Sequence, residues 1–510
     1  MEKGVFMSSD STTTHSWRKL QNGAEIRGSE ALLTDEFARR IGYVFAQWLA
    51  ERLGTTTDRL TLAVGRDSRH SGPRLKAALI RGMTAADCDV FDCDLCTTPA
   101  MYMATVAPET HANGAIMITG SHYSFDRNGF KFILREGHLS AEDVTGLIER
   151  AERAEIPERL VRKIDFLEIY AERLRQMVRR RLEDDALKPL LGLHVVVDAG
   201  GGAGGFYADV LESLGAYVDG SLYLAPDGDF AGHSPNPESA DALEAVARAV
   251  VENEADLGVI FDPDCDRAAI VDQAGRVIHR NRLIALTSAI LLDESAGGTI
   301  VTDSVTSSGL NQFITEWGGT HYRYKRGHRN VIDEAVRLNE EGIDCPLAME
   351  TSGHAAFREN YFIDDGMYLA TRIVCEALNR KREGLTLSSL IDELHEPVES
   401  AEIRMALPED DVRAAGQEVI EVVLSHTLDN PEWTLATDNR EGVRITFNLD
   451  GGVSNAWFLL RLSLHDPVMP LNAESDVPGG VRAMLSQLHH LLKDAELRLD
   501  LEPLRLALEK

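Results

Sequence analysis

The residues with the clearest chemical purpose are three aspartates at alternate positions in Gly258-Val-Ile-Phe-Asp262-Pro-Asp264-Cys-Asp266-Arg267. An apolar strand delivers them into one tight loop, where three carboxylates repel each other unless a cation neutralises them. Hard oxygen ligands of this kind suit Mg²⁺, which commonly works together with substrate phosphate oxygens. An EF-hand does not fit, because its glycine and distal Glu are missing at the required spacing. The plain alternative is an acidic surface turn. A second group is Ala115-Ile-Met-Ile-Thr-Gly-Ser121-His122, followed by Asn128-Gly129-Phe130-Lys131. Here a strand presents a serine, a poor nucleophile unless a base or electrophile assists it. His122 and Lys131 can stabilise charge on a phosphoryl group at Ser121. Taken alone, a Ser-His pair at a strand end is ordinary loop chemistry.

Two further clusters point the same way. In Ala348-Met-Glu350-Thr-Ser352-Gly-His354 a Glu can accept protons from sugar hydroxyls, while Ser and His donate or accept. Such a set suits a hydroxyl-rich ligand. Lys325-Arg326-Gly327-His328-Arg329 concentrates positive charge in an acidic chain and fits phosphate binding, or proton transfer by His328. Its alternative is a solvated basic turn. Gly200 to Gly205 lacks the Lys-Ser/Thr of a P-loop and is read as a tight strand-to-helix turn. Cys93 and Cys96 have CxxC spacing but no second pair for zinc, and Asp92 and Asp94 beside them should raise their thiol pKa values.

The elements that position these groups alternate along the chain. Phe37, Ile41, Val44, Phe45 and Trp48 recur at helical steps. Leu60 to Val64 is a short strand running into Gly65-Arg66-Asp67-Ser68-Arg69. A helix around Leu75 to Ala85 and a strand Val90 to Asp94 follow. The pattern restarts at the strand Leu193 to Val197 with a helix near Ala208 to Leu214. It restarts again at Thr299 to Thr302 with a helix from about Leu310. A charged helical stretch, 148 to 188, separates the first two units, and the strand Ala401 to Met405 after Pro397 opens a terminal α+β module. The fold class is therefore α/β, with three similar mixed α/β domains around largely parallel sheets and a C-terminal α+β domain.

A length of 510 residues accommodates several cores, and 44% hydrophobic with 26% charged residues is globular composition. No stretch approaches the roughly 20 apolar residues of a membrane helix. The Ser/Thr-rich start lacks a secretory signal, so residues 1–19 read as a disordered tail and the protein as cytoplasmic. A formal charge of −30 argues against nucleic acid. An anionic substrate then requires a metal ion and a few well-placed Arg, Lys and His to reverse the field inside a cleft.

In their order and separation the four motifs resemble the α-D-phosphohexomutase family, over about residues 20 to 480. The resemblance implies a heart-shaped, four-domain α/β protein with its active site in the central cleft. Its domains would be 20–170 with a phosphoserine loop, 171–278 with a metal loop, 279–397 with a sugar loop and 398–510 with a phosphate loop. Ser121 falls on the family's phosphoserine, which also meets the Mg²⁺ held by Asp262, Asp264 and Asp266, and Arg267 closes that motif as a substrate-binding residue. Glu350, Ser352 and His354 match the sugar-hydroxyl loop. Arg27 matches an arginine near the reacting phosphate, and Lys131 and His328 match residues proposed for proton transfer. Lys325, Arg461, Ser463 and His465 fall where phosphate is bound. The activity implied is interconversion of hexose 1- and 6-phosphates through phospho-Ser121 and a hexose 1,6-bisphosphate, by a monomer or homodimer. Two departures stand out. Gly120 and Tyr123-Ser124 replace a more common Ala and Asn-Pro, and the segment from Arg461 to Asn472 lacks the family's second arginine. A bisphosphate synthase that uses a sugar bisphosphate donor, or a non-catalytic sugar-phosphate sensor, would share most of these residues.

Overall fold

The computed structural model describes residues 17–156, 162–408, 411–463, 466–495 and 497–509. Four separate sheets follow one another along the chain. The first is built on three parallel strands, Thr61–Arg66 between Asp89–Leu95 and Gly114–Ile118. Arg127–Leu134 and then Glu25–Ser29 extend it antiparallel, which sets Arg27 opposite Gly129 and Lys131 opposite Met117. The helix Asp35–Leu53 covers one face. Thr34 accepts from the Phe37 amide at its start, left-handed Gly54 ends it, and Phe37, Ile41, Val44 and Phe45 are buried beneath it.

In the second sheet Val195–Asp198 pairs in parallel with Leu257–Phe261, and Ala268–Asp272 returns antiparallel. In the third, Thr299–Thr302 lies between Thr320–Arg323 and Leu347–Met349, both parallel to it, and Ala355–Phe357 is antiparallel. Gly114–Ile118, Leu257–Phe261 and Thr299–Thr302 are buried at every residue, as strands covered on both faces must be. The fourth sheet is wholly antiparallel, in the order Glu399–Ala406, Val468–Ser475, Ala456–Leu460, Val443–Phe447, Thr434–Leu435. Burial alternates along part of its edge strand Glu399–Ala406, in keeping with one wet face.

The sheets are thus more mixed than the expected largely parallel arrangement, because each catalytic-type loop turns the chain straight back into an antiparallel neighbour. The charged stretch 148–188 is not one helix. Ala141–Ala151 ends, and Phe166–Arg181 begins under an Asp165 cap. Residues 1–16 of the expected tail lie outside the described residues. Trp17–Leu20 forms a 3-10 turn whose Trp17 ring meets Phe37 edge-on at 4.9 Å, so packed chain begins before residue 20. Among the described residues no helix is long and apolar enough to cross a membrane.

Candidate active site

Four loops leave the first three sheets and converge. Ser121 follows the strand Gly114–Ile118 and is buried, with φ +50°, a left-handed conformation that a serine adopts only when its surroundings enforce it. Arg69, fully buried, supplies that enforcement. Its guanidinium donates to the carbonyls of Ser121, Tyr123, Ser124 and Arg127 at 2.6–2.7 Å, and its Nε to Asp67 at 3.0 Å. Asp67 also accepts from Thr119 Oγ1, and Thr119 Oγ1 accepts from the Ser121 amide, both at 2.7 Å. The bracing expected of Gly65 to Arg69 is therefore physical contact, backbone by backbone.

The aspartates leave Leu257–Phe261 in a loop shaped by its neighbours. Gly202 of the glycine-rich turn presses so closely on Pro263 that a Cβ there would lie 2.5 Å from its Cα. Asp262 and Asp264 are inaccessible to solvent and Asp266 is 3% exposed. One oxygen from each lies within 4.8 Å of the others. Asp262 takes Arg267, whose Nε donates to it at 3.1 Å while Nη2 donates to Ser121 Oγ at 3.2 Å. Lys131 Nζ reaches Asp264 at 2.8 Å and Asp266 at 2.5 Å, and Thr98 Oγ1 donates to Asp264 at 2.6 Å. Asp264 Oδ1 and Asp266 Oδ1 remain buried without a hydrogen bond. Buried carboxylate oxygens with no donor are what a hard cation needs, so the donor set fits Mg²⁺. Burial pushes Asp262 well above the usual carboxylate range, with Asp266 adding to it. At Asp266 burial acts in the same sense, but Lys131, His354 and Arg267 outweigh it and hold that carboxyl far below.

The sugar-type loop joins Leu347–Met349 to Ala355–Phe357, and a bridge between Arg267 and His354 ties it to the metal loop. Glu350 is buried and accepts from the Gly327 amide at 2.6 Å. Burial, reinforced by Asp303 and opposed by Arg326, raises its pKa to about 7. Ser352 Oγ and His354 Nδ1 are 2.8 Å apart, and His354 Nε2 stands 3.7 Å from Asp266. The His354 ring lies 5.3 Å from His328, which meets His138 at 5.7 Å. Burial depresses the pKa of all three imidazoles, keeping them neutral near pH 7.

Other expected residues sit differently. Arg27 is buried, pairs with Glu25 at 2.6 Å and donates to the Thr119 carbonyl, so it backs the serine loop. Arg267, expected on the substrate, contacts Ser121 and Asp262. His122 is exposed, stacked on Tyr123, with Nδ1 3.4 Å from Ser121 Oγ. Lys325 is exposed above the Tyr324 ring, and Arg326 is the half-buried neighbour that turns inward. Arg461 is buried, and Ser463 Oγ accepts from the Asp466 amide at 3.3 Å. His465 lies outside the described residues. Cys93 and Cys96 are buried free thiols raised chiefly by burial, with Asp92 a smaller contributor at Cys93. Sequence reasoning missed Asp364, a buried carboxylate clustered with His328 and His354. Its signal was the Asp364-Asp365-Gly366 run ahead of the helix Gly366–Arg382.

Family models described as phosphoglucomutase/phosphomannomutase, alpha/beta/alpha domains I, II and III match residues 18–157, 168–275 and 279–398. A phosphomannomutase/phosphoglucomutase of Pseudomonas syringae pv. tomato is 30% identical over 89% of this chain and 92% of its own. A phosphoglucomutase of Neisseria gonorrhoeae is 30% identical over 91% and 94%. The crystal structure of a phosphoglucomutase/phosphomannomutase family protein from Burkholderia thailandensis superimposes with a TM-score of 0.78 at 27% identity, covering 94% of this chain and 98% of that one.

Proposed function

Since the chain belongs to the phosphoglucomutase/phosphomannomutase family of α-D-phosphohexomutases, we propose that it isomerises hexose 1- and 6-phosphates through a phosphoserine at Ser121. The observation that carries this reading is Ser121 Oγ, buried and hydrogen-bonded to Arg267, the residue that also grips the aspartate triad. The mutase names of the relatives favour isomerisation over release of bisphosphate or mere sensing.

In the reaction the phosphorus–Oγ bond of phospho-Ser121 breaks as a bond forms to the free hydroxyl oxygen of a hexose monophosphate. The other phosphate of the resulting bisphosphate then returns to Ser121. A Mg²⁺ ion held by Asp262, Asp264 and Asp266 would supply neutralising charge to the phosphoryl oxygens. Arg267 and Arg27 hold the serine loop and its charge in place. Lys131 Nζ, held between Asp264 and Asp266, brings positive charge to the aspartate loop. The neutral imidazoles of His328 and His354 can take the hydroxyl proton. Glu350, Ser352 and His354 orient the sugar hydroxyls.

The test is a ³¹P NMR time course with Mg²⁺, glucose 1-phosphate and a catalytic amount of glucose 1,6-bisphosphate. Glucose 6-phosphate should form far beyond the bisphosphate added, and Ser121→Ala should lose at least about 10³-fold in rate. Bisphosphate accumulating from a fructose 1,6-bisphosphate donor without isomerisation would replace the mutase reading with a synthase.

A further inference from the structure

Asp364 has no task in the reaction described above, yet the fold places it with care. It is 5% exposed, and its carboxyl group makes no hydrogen bond or ion pair among the described residues. A buried carboxyl left so is costly in either protonation state unless a ligand satisfies it. The chain leading to it is strained, since Tyr361 and Phe362 are successive left-handed residues at φ +59° and +54°. Two backbone hydrogen bonds hold this turn, from the Phe362 amide to the Phe357 carbonyl at 2.9 Å and from the Asp365 amide to the Ala355 carbonyl at 3.1 Å. Asp365 then caps the helix Gly366–Arg382. One oxygen of Asp364, one nitrogen of His328 and one of His354 all lie within 4.8 Å of one another. His328 opens the helix His328–Glu340, and its side chain makes no hydrogen bond or ion pair among the described residues. Ser352 Oγ, 2.8 Å from His354 Nδ1, fixes the other ring. All three donors come from the third unit, so the cluster does not depend on how the units close. It borders a cavity of about 360 Å³ that Asp364 and His138 line and the exposed Tyr361 flanks.

Two imidazoles and a carboxylate converging from three elements are the donor set of a transition-metal ion. Imidazole nitrogen suits Zn²⁺, Cu²⁺ and Ni²⁺, whereas the all-oxygen aspartate loop suits Mg²⁺. His354 Nε2 stands 3.7 Å from Asp266, so the two clusters adjoin and differ in the ions they favour. We propose that His328, His354 and Asp364 bind a divalent transition-metal ion of the Zn²⁺ class, separate from the Mg²⁺ of the aspartate loop, and that this ion inhibits the enzyme. Three protein ligands leave a fourth tetrahedral position to water or an anion. The cavity admits the ion and its water to the Asp364 side of the cluster. Once bound, the ion occupies the imidazole lone pairs that would accept the hydroxyl proton. The site itself stands on its donor geometry, and only the inhibition rests on the mutase reading.

The test titrates Co²⁺ and Zn²⁺ into the protein in saturating Mg²⁺, following Co²⁺ by its visible absorption and Zn²⁺ by calorimetry. Co²⁺ should bind with the visible bands of a low-coordinate, nitrogen-containing site, and Zn²⁺ but not further Mg²⁺ should displace it. Asp364→Asn and His328→Gln should each weaken both ions at least about 10-fold, the least that loss of even a supporting partner costs a metal site. Asp264→Asn, which damages the aspartate loop, should leave both affinities unchanged. Zn²⁺ should inhibit isomerisation in saturating Mg²⁺, and Asp364→Asn should need at least about 10-fold more of it. Binding that vanishes in Asp264→Asn and survives in the other two variants puts the ion in the aspartate loop and overturns the proposal. Wild type that takes up neither ion beside Mg²⁺ overturns it too. If Asp364→Asn does not fold, His328→Gln, at a half-buried position, decides by the same readings. Zn²⁺ bound as stated but without inhibition overturns the inhibitory role. Zn²⁺ bound as stated by a protein that does not isomerise glucose 1-phosphate overturns the mutase reading and leaves the site standing.

Discussion

At the scale of single residues, the site is organised by ionisable groups whose environments pull them apart. Lys131 is kept charged by Asp264 and Asp266, while His328, His354 and His138 are kept neutral by burial. Glu350 is poised between these extremes, its pKa lifted from an ordinary value near 4.5 to about 7. A raised carboxyl pKa means that the folded protein keeps a proton which the unfolded chain gives up. Stability from this group is therefore lost as pH rises from about 4.5 to about 7. Sugar binding has the opposite sense, because the ionised carboxylate is the better acceptor for hydroxyl protons. Glu350→Gln should flatten the fall of unfolding free energy across that window. It should also remove the improvement in KM between about pH 6 and 8. Urea titrations and initial rates at these pH values check both, and an unchanged stability slope in the variant would rule out Glu350 as its source.

At the scale of elements, the serine loop is a rigid piece held by one buried arginine. Gly120 stands where Ala is more common in the family, and the structure supplies the reason. A Cβ at 120 would lie 2.5 Å from Arg69 Cζ and 2.7 Å from the Arg127 carbonyl oxygen. Neither can yield, since Arg69 is locked by Asp67 and four loop carbonyls. Gly120→Ala should cost about 1–3 kcal/mol in stability and lower kcat more than it raises KM, because it displaces Ser121 and not the sugar. Chemical denaturation and steady-state kinetics read the two effects, and a variant with wild-type kcat would show that the loop tolerates the shift. This brace also marks what sequence can reveal. Strands such as Thr299–Thr302 were legible because all four residues are β-branched, and the aspartate and serine motifs because their neighbours share a strand-to-loop pattern. The pairing of Lys131 with Asp264, 133 residues away, leaves no local period to read. The same is true of Arg69 holding four carbonyls, of Asp364 beside His328, and of Arg326 rather than Lys325 turning inward. Helix and strand ends shifted by up to three residues where caps, not apolar pattern, decide them.

At the scale of the whole molecule, an acidic chain has to accommodate an anionic substrate. A formal charge of −30 coexists with Arg27, Arg69, Lys131 and Arg267 at the serine and aspartate loops, each paired there with a carboxylate, so an anionic substrate depends on the metal ion as well as on these cations. The joints between units are unequal. One apolar cluster runs through the first three units, from Met117 through Val259 to Ile300 and Leu378. The fourth has a cluster of its own, from Ile403 to Leu504. It meets the third through polar contacts, Arg323 with Asp438, Arg444 with Ser304 and Thr306, and Glu441 with Ser304 and Arg326. A joint held mainly by such polar contacts favours relative motion, which is what closure over a phosphate needs. Asp438→Ala would take the charge partner from buried Arg323 at this joint while leaving its hydrogen bonds to Thr306 and Ser307, a loss of about 1–3 kcal/mol that falls on the fourth unit first. Hydrogen exchange should accelerate across 434–463 in the variant, while the buried strands Val195–Asp198 and Leu257–Phe261 keep their wild-type protection. Saturating glucose 6-phosphate should restore part of the protection by holding the two units together. Acceleration spread evenly over all four sheets would mean that the units unfold as one body, and closure would then have to come from loops instead of a moving fourth domain.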